Sequence, residues 1–189
     1  MVRVVVTERG SDVARVQLYL KYARGSPDFR FMRPAGRFDS IPALRLQTYV
    51  DLMAQVRPGN EASLPASAPD CVIDTGSHLS IIPQYVWGQF KPGVIAPLPF
   101  APAMPQSRRS VTVGGGRYPY DLGELAIRLR DSAGRTLDVR IVAQLTRDGG
   151  ALTIPMTLGL RGGAIDGRVL RSDPDPAASF GQAWWLEDP

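Results

Sequence analysis

Glycine and proline divide this chain into short segments, and this division limits the folds that it can adopt. Nineteen glycines and 17 prolines are spread along the sequence, and the stretches between them are rich in β-branched and other apolar residues. Short apolar runs bounded by such residues are typical of strands. The strands expected on this basis span residues 2–8, 14–23, 43–56, 71–75, 110–114, 123–131, 136–145 and 152–160. The sequence therefore predicts an all-β fold.

Two of these segments alternate apolar and polar residues, as strands with one buried face do. The apolar faces consist of Val16, Leu18 and Leu20 in one strand and of Leu125, Ile127 and Leu129 in the other. The sequence "DSAG" at 131–134 is expected to close a hairpin. Residues 83–90 predict a short helix that starts at a proline, and the proline-rich segments 58–69 and 91–107 predict extended loops.

Length and composition indicate one globular domain. The chain has 189 residues, 44% of them hydrophobic, which is enough for a single core. Its formal net charge of +4 comes from scattered arginines, so we expect a solvated basic surface and no nucleic-acid partner. Cys71 is the only cysteine and excludes an internal disulfide. No segment reaches membrane-spanning length and residues 1–10 do not resemble a signal peptide, so a cytoplasmic protein without a membrane partner is expected.

An acidic residue interrupts the apolar pattern at one place. Asp74 begins the sequence "DTGS", with Val72 and Ile73 before it and more apolar residues soon after it. A carboxylate between two buried strands must be paired, neutralised or used, because an isolated buried charge is very costly. This carboxylate is the strongest candidate for a functional group in the sequence. The alternative is an ordinary turn in which the aspartate accepts hydrogen bonds from nearby amides.

The segment "VIDTGS" at 72–77 resembles the active-site signature of aspartic proteases, and the chain is identified as similar to the single-domain, retropepsin-like members of bacterial type. The resemblance implies a closed acid-protease β-barrel with one or two short helices. It assigns the catalytic residues Asp74, Thr75, Gly76 and Ser77. Asp74 activates water, and Thr75 ties two such loops together. Gly76 and Ser77 hold the carboxylate, with the Ser77 hydroxyl as one donor.

Two later segments follow in the order that the family shows. Residues 110–120 predict a hairpin with a flexible tip at Gly114, Gly115 and Gly116, which the resemblance makes a flap over substrate. Leu158 and Gly159 resemble the apolar-apolar-Gly segment that the family threads beside the catalytic loop, with a short helix and strand to follow. These five residues are the expected substrate-binding residues.

The chain also departs from the family. Leu160 stands where retroviral members carry an arginine, so the ion pair that supports their dimer is expected to be absent or rebuilt with Arg161. Residues 1–42 have no counterpart in the minimal fold. They are expected to be an extension that packs on or covers the barrel, with the protease domain at 43–189.

A single Asp-Thr-Gly supplies half of an active site, so the resemblance implies a homodimer in which each subunit contributes one Asp74. Asp166 also precedes a glycine but is expected to be a turn residue, and the only histidine, His78, is expected to face solvent. Trp184 and Trp185 near the C-terminus either contact the partner or pack on their own core.

The expected activity is peptide-bond hydrolysis on peptide or protein substrates, with no metal and no organic cofactor. Two alternatives remain open. One is a module that keeps the barrel for binding or dimerisation without catalysis. The other is a dormant protease that is inhibited by its own segment 1–42.

Overall fold

The architecture is described from a computed structural model that covers residues 13–23, 28–34, 36–53, 71–88, 95–149 and 154–189. Strands dominate it. They are β1 (Arg15–Tyr22), β2 (Phe29–Met32), β3 (Phe38–Ile41), β4 (Leu44–Met53), β5 (Cys71–Asp74), β6 (Ser80–Ile82), β7 (Ile95–Leu98), β8 (Ser110–Val113), β9 (Gly116–Arg130), β10 (Thr136–Thr146), β11 (Thr157–Gly159), β12 (Val169–Pro174) and β13 (Gln182–Glu187). One short α-helix, α1 (Gln84–Trp87), and two 3-10 turns at Gln106–Arg108 and Ser179–Gly181 complete the described elements.

Six strands close a barrel in the order β4-β5-β11-β6-β10-β9. The ring closes because β9 pairs along β10 on one side and with the second half of β4 on the other, where Tyr49 lies opposite Arg130. Outside the ring, β1, β13 and β12 extend the sheet from the first half of β4, and β7 and β8 pair with β9. The all-β class and the closed barrel predicted from the sequence are confirmed.

The hydrophobic core is filled by alternating side chains of the strands, and both predicted apolar faces contribute to it. The fully or almost fully buried members include Val16, Leu18, Val50, Leu52, Leu125, Ile127, Leu129, Leu137, Val139, Ile141, Met156 and Leu158. Leu20, by contrast, is only half-buried. Burying a side chain of this size stabilises the fold by roughly 1.5–3 kcal/mol relative to exposure. The core therefore holds β5 and β11, the strands around Asp74, in fixed positions.

A buried carboxylate fixes the β9–β10 hairpin against β1. Asp131 is 3% exposed. It accepts hydrogen bonds from the amides of Gln17, Ala133 and Arg135 and from Nε of Arg135 at 2.6 Å. Burial alone raises the pKa of this carboxyl group, but the hydrogen bonds from Arg135 and Gln17 together outweigh it, so the pKa is lowered overall. The "DSAG" hairpin loop is confirmed, with an anchoring role that the sequence did not reveal.

Several local predictions differ from the structure. Segment 91–107, predicted to be a loop, contains β7, which among the described strands pairs with β9 alone and so is an edge strand there. Pro97 is tolerated there because one side of an edge strand needs no amide donor. No helix follows Gly159: residues 160–168 form bends and turns in which Gly162, Gly163 and Gly167 adopt positive φ angles. Segment 2–8 and the loop 58–69 lie outside the described residues.

The described parts of the N-terminal segment form strands of their own. β1 lies inside the main sheet, with β13 on one side and β4 on the other. β2 and β3 form a separate two-stranded hairpin. Residues 1–12 lie outside the described part of the chain.

Candidate functional site

Asp74 ends β5, and the chain turns immediately after it. The Gly76 amide donates to Oδ1 of Asp74 at 2.9 Å, and the Ser77 amide donates to the Asp74 carbonyl oxygen at 3.2 Å. Asp74, Thr75 and Gly76 are all exposed in the single chain. The carboxylate is therefore held by the turn itself and presented to solvent, so it is not the buried, unpaired charge that the flanking apolar segments suggested.

The Ser77 hydroxyl has another partner than the one expected. Its Oγ donates to the carbonyl oxygen of Leu79 at 3.0 Å, and it does so within the same turn. The hydroxyl therefore braces the turn, while the amide of Gly76 is the donor that reaches the Asp74 carboxylate. Thr75 lies at the exposed apex, where a cross-axis contact requires a second chain.

β11 runs beside the Asp74 turn. It pairs in parallel with β5, so that Gly159 lies opposite Asp74, and it pairs antiparallel with β6. The amide of Leu160 donates to the Ser77 carbonyl oxygen and that of Arg161 to the His78 carbonyl oxygen, each at 2.8 Å. These bonds clamp the segment after Asp74 against the segment after β11.

Gly159 is required at this position by the close approach of the neighbouring backbone. A Cβ atom at residue 159 would lie 2.5 Å from the carbonyl oxygen of Leu79 and 2.9 Å from the Ser80 amide nitrogen, which is closer than van der Waals contact allows. The Gly159 amide donates to Oγ of the buried Ser80 at 3.2 Å. The predicted placement of this segment beside the Asp74 turn is therefore found in the structure.

The predicted hairpin at 110–120 is present as β8 and the first part of β9. Val113 pairs with Gly116, and the two residues between them, Gly114 and Gly115, have φ angles of 57° and 83°. Two consecutive positive φ angles define the tight turn that suits the twist of a two-stranded ribbon. Gly116, expected at the tip, is instead the first residue of β9.

The tip of this hairpin and Asp74 line one cleft of about 530 Å³. Its lining residues are Leu44, Arg45, Leu46, Val72, Ile73, Asp74, Val113, Gly114, Pro155 and Thr157. β4, β5, the hairpin tip and the start of β11 therefore meet there. Leu158 is instead fully buried in the core, so it supports the cleft from beneath.

Sequence reasoning missed the β4 wall of the cleft. Leu44, Arg45 and Leu46 line it because β4 pairs antiparallel with β5, with Leu46 opposite Ile73. The only signal was that the strand at 43–56 precedes the Asp74 strand, because consecutive strands often pair. The sequence between them, 54–70, is too long to fix the register.

The other residues considered from the sequence lie away from this cleft or serve the fold. Oδ1 of Asp166 accepts from the Gly163 amide at 2.6 Å in a turn, and His78 is exposed, both as predicted. Cys71 is fully buried as expected, and burial raises the pKa of its thiol strongly. Such a thiol is not reactive.

The two C-terminal tryptophans both have contacts within their own chain. Trp184 packs against the core, and the Trp185 ring lies beside the guanidinium groups of Arg15 and Arg135, at 4.6 and 4.7 Å from its centroid. β13 itself has β12 on one edge and β1 on the other. The structure thus uses this strand and its tryptophans inside one subunit.

Among the described residues, no group of three or more His, Cys, Asp or Glu side chains is placed to hold a metal ion. Comparisons with protein families, with curated proteins and with solved structures find no match to this chain. In the described part of the chain, no helix has the length and apolar character needed to cross a membrane. Because the comparisons find no match, the function of the Asp74 cleft must be inferred from its own geometry.

Proposed function

We propose that this chain is one subunit of a homodimeric, retropepsin-like aspartic endopeptidase. The observation that carries the proposal is the shared cleft of Asp74 and Gly114, with Gly159 opposite Asp74 on the neighbouring strand. Three segments that are distant in sequence meet there, in the arrangement that the resemblance implied. A turn that only connected two strands would need neither β11 beside it nor a hairpin tip in the same cleft.

In the proposed dimer, the two Asp74 carboxyl groups face each other about one water molecule apart. One of them is ionised and takes a proton from the water, whose oxygen attacks the carbonyl carbon of the scissile peptide. The other is protonated and donates to the carbonyl oxygen. The tetrahedral intermediate then collapses with cleavage of the C–N bond, and the leaving amine takes up a proton.

The cleft fits an extended peptide. Its walls include a hairpin tip and the end of β4 beyond its pairing with β5, which offer backbone hydrogen bonds to a substrate in β conformation. Leu44, Leu46 and Ile73 give apolar surface, while Arg45 adds a positive charge at the rim. Substrate side chains that alternate along the peptide would contact β4 on one side and the hairpin tip on the other.

The deciding experiment compares two aspartate variants of the purified protein. Asp74→Asn should lower peptide hydrolysis by at least about 10³-fold, since it removes the group that exchanges protons with water and substrate. Asp166→Asn is the matched control, because Asp166 also precedes a glycine but lies in a turn. Hydrolysis that is insensitive to Asp74→Asn would exclude this mechanism, whereas inhibition by pepstatin would support it.

One observation favours a different function, a non-catalytic module that uses the barrel for binding. In the minimal members of the resembled family, dimers form partly through terminal strands, whereas β13 of this chain has both edges paired internally. If β13 leaves no route to a dimer, the Asp74 carboxylates never meet. Such a module would be monomeric at all concentrations and would show no hydrolysis at any pH.

The dormant form, in which the N-terminal segment fills the cleft, would have to use residues other than β1. Arg15–Tyr22 is occupied in the main sheet between β13 and β4. Autocleavage before Val13 that is lost in Asp74→Asn would support such a form.

A further inference from the structure

The hairpin β2–β3 carries an unusual amount of exposed apolar surface. Phe29, Met32, Phe38 and Ile41 are 68%, 63%, 75% and 56% exposed. Cross-strand pairing puts Phe29 beside Ile41 on one face and Met32 beside Phe38 on the other. Both faces of this ribbon, which we name the arm (residues 28–34 and 36–43), are therefore apolar and open to solvent.

Contacts among the described residues of the arm help to hold it in shape. Nε of Arg33 donates to Oδ2 of Asp39 at 2.9 Å, and the Arg33 guanidinium lies 5.4 Å from the centroid of the Phe31 ring. The Arg33 amide bonds to the Arg37 carbonyl oxygen at the tip. A two-stranded ribbon alone is marginally stable in water, so an apolar arm of this kind is expected to gain stability from a further surface.

The base of the arm lies at the rim of the Asp74 cleft. The pairing of β1 with β4 extends to Tyr22 and Leu44. Just beyond them, the Ala23 amide donates a hydrogen bond to the Ala43 carbonyl oxygen. Leu44 itself lines the cleft with Asp74. The arm thus leaves the barrel at the place where a second subunit must approach if two Asp74 carboxylates are to meet.

Other exposed apolar residues gather at the same end. Of the nine large apolar side chains that are exposed in the described part of the chain, seven lie there. Besides the four of the arm, they are Leu160 after β11, Tyr22 at the end of β1, and Phe180, whose ring meets that of Tyr22 at 5.4 Å. The remaining two, Val13 and Val169, lie at the other end of β1. Arg15 at that end and Val169 of β12 both pair with Glu187 of β13.

We infer that the arm is a dimerisation arm, which packs its apolar residues on a second copy of this chain and brings the two Asp74 turns together. The inference rests on the proposed function, because the half-site is what requires the second copy. It also supplies the route to a dimer that β13, paired on both edges, does not offer. The four apolar side chains expose on the order of 500 Å² in each subunit. Only one face of each arm can pack on a partner surface, so two arms supply on the order of 500 Å² of the roughly 1,200–2,000 Å² that a stable interface buries, and Leu160, Tyr22 and Phe180 offer further apolar surface at the same end.

The test measures the mass of the protein as well as its activity. Sedimentation equilibrium is performed on the full chain in the Asp74→Asn background, so that dimerisation is measured whether or not the protein hydrolyses peptides. The arm variant is Met32→Thr with Phe38→Thr, which removes one apolar pair and keeps β propensity. Val13→Thr with Val169→Thr is the control, since it removes exposed apolar groups at the opposite end.

We expect the arm variant to raise the dimer dissociation constant by roughly 10- to 100-fold, with the control unchanged and both variants melting near the parent temperature. With Asp74 intact, the activity of the arm variant per subunit should fall at low protein concentration and recover at high concentration.

Three outcomes would overturn the inference. They are a monomeric parent protein at every concentration, a dimer that the arm variant does not weaken, and a rise in KM that does not depend on protein concentration. The last would mean that the arm grips substrate. A dimer that depends on the arm but hydrolyses nothing would leave the arm's role standing and refute the proposed activity.

Discussion

Gly159 shows how one residue decides the geometry beside Asp74, because its missing side chain lets β11 touch the Leu79 backbone. Gly159→Ala should lower the free energy of unfolding by about 2–4 kcal/mol, since the atoms that a Cβ would meet belong to the backbone of Leu79 and Ser80 and cannot rotate away as a side chain could. Gly134→Ala is the control, at an open hairpin turn with a φ angle of 82°, where the cost should be only about 1 kcal/mol. Urea denaturation measures both values. Equal costs would mean that the contact at Gly159 is not tight.

Asp131 makes stability depend on pH. Its pKa is lowered in the folded chain, so its contribution to stability is fully present above the unfolded value of about 3.9 and is lost as pH falls through the lower folded value. Asp131→Asn should cost roughly 2–3 kcal/mol at pH 7, and the difference from the parent should shrink below about pH 4. Denaturation curves between pH 2 and pH 7, in steps of about one unit, test this pattern.

Asp138 provides the comparison for that pH series. The hydrogen bond from Arg128 lowers its pKa, but the side chain is 56% exposed. Asp138→Asn should therefore cost at most about 1 kcal/mol at pH 7, as exposed ion pairs do. A larger loss from Asp138→Asn than from Asp131→Asn would contradict the anchoring role of Asp131.

The elements with a strong local signal were predictable, and those defined by distant partners were not. The alternation at 123–131 and the apolar segment at 136–145 indicated β9 and β10, and the glycine run indicated the hairpin tip. β7 was missed because Pro97 obscures an edge strand, and β12 because its residues are mostly exposed and show no apolar alternation. β2 and β3 carry exposed aromatic residues, which a burial pattern does not anticipate.

The β8–β9 hairpin yields a prediction about an element. Gly114→Val should lower kcat/KM by about 10-fold or more, because a β-branched residue is strained at a φ angle of 57° and alters the tip over Asp74. Gly134→Val is the matched control, at the "DSAG" hairpin tip, and should strain the chain similarly without affecting hydrolysis. Peptide hydrolysis and thermal unfolding of both variants distinguish a flap from an ordinary turn. Equal losses of activity would refute the flap.

At the scale of the whole molecule, the sequence indicated Asp74 and its two supporting segments but not the cleft that they form. The β4 wall depends on the register between Leu46 and Ile73, which follows from closure of the barrel and is not encoded locally. The arm was likewise hidden, because its significance lies in where β1 and β4 end. A half-site and an apolar arm at the same end of the sheet are both incomplete in one chain, which is why we place the second copy there.

Mixing subunits tests whether activity belongs to the pair. If each site needs Asp74 from both chains, adding Asp74→Asn subunits should trap wild-type subunits in inactive heterodimers. Activity per wild-type subunit should then fall to about half at a 1:1 ratio and to about a quarter at 1:3, because random pairing sets the wild-type fraction of partners. Asp166→Asn subunits, which keep Asp74, should leave the activity per Asp74-containing subunit unchanged at the same ratios. Activity that is indifferent to added Asp74→Asn chains would show that a single subunit hydrolyses peptides alone, and the arm would then need another explanation.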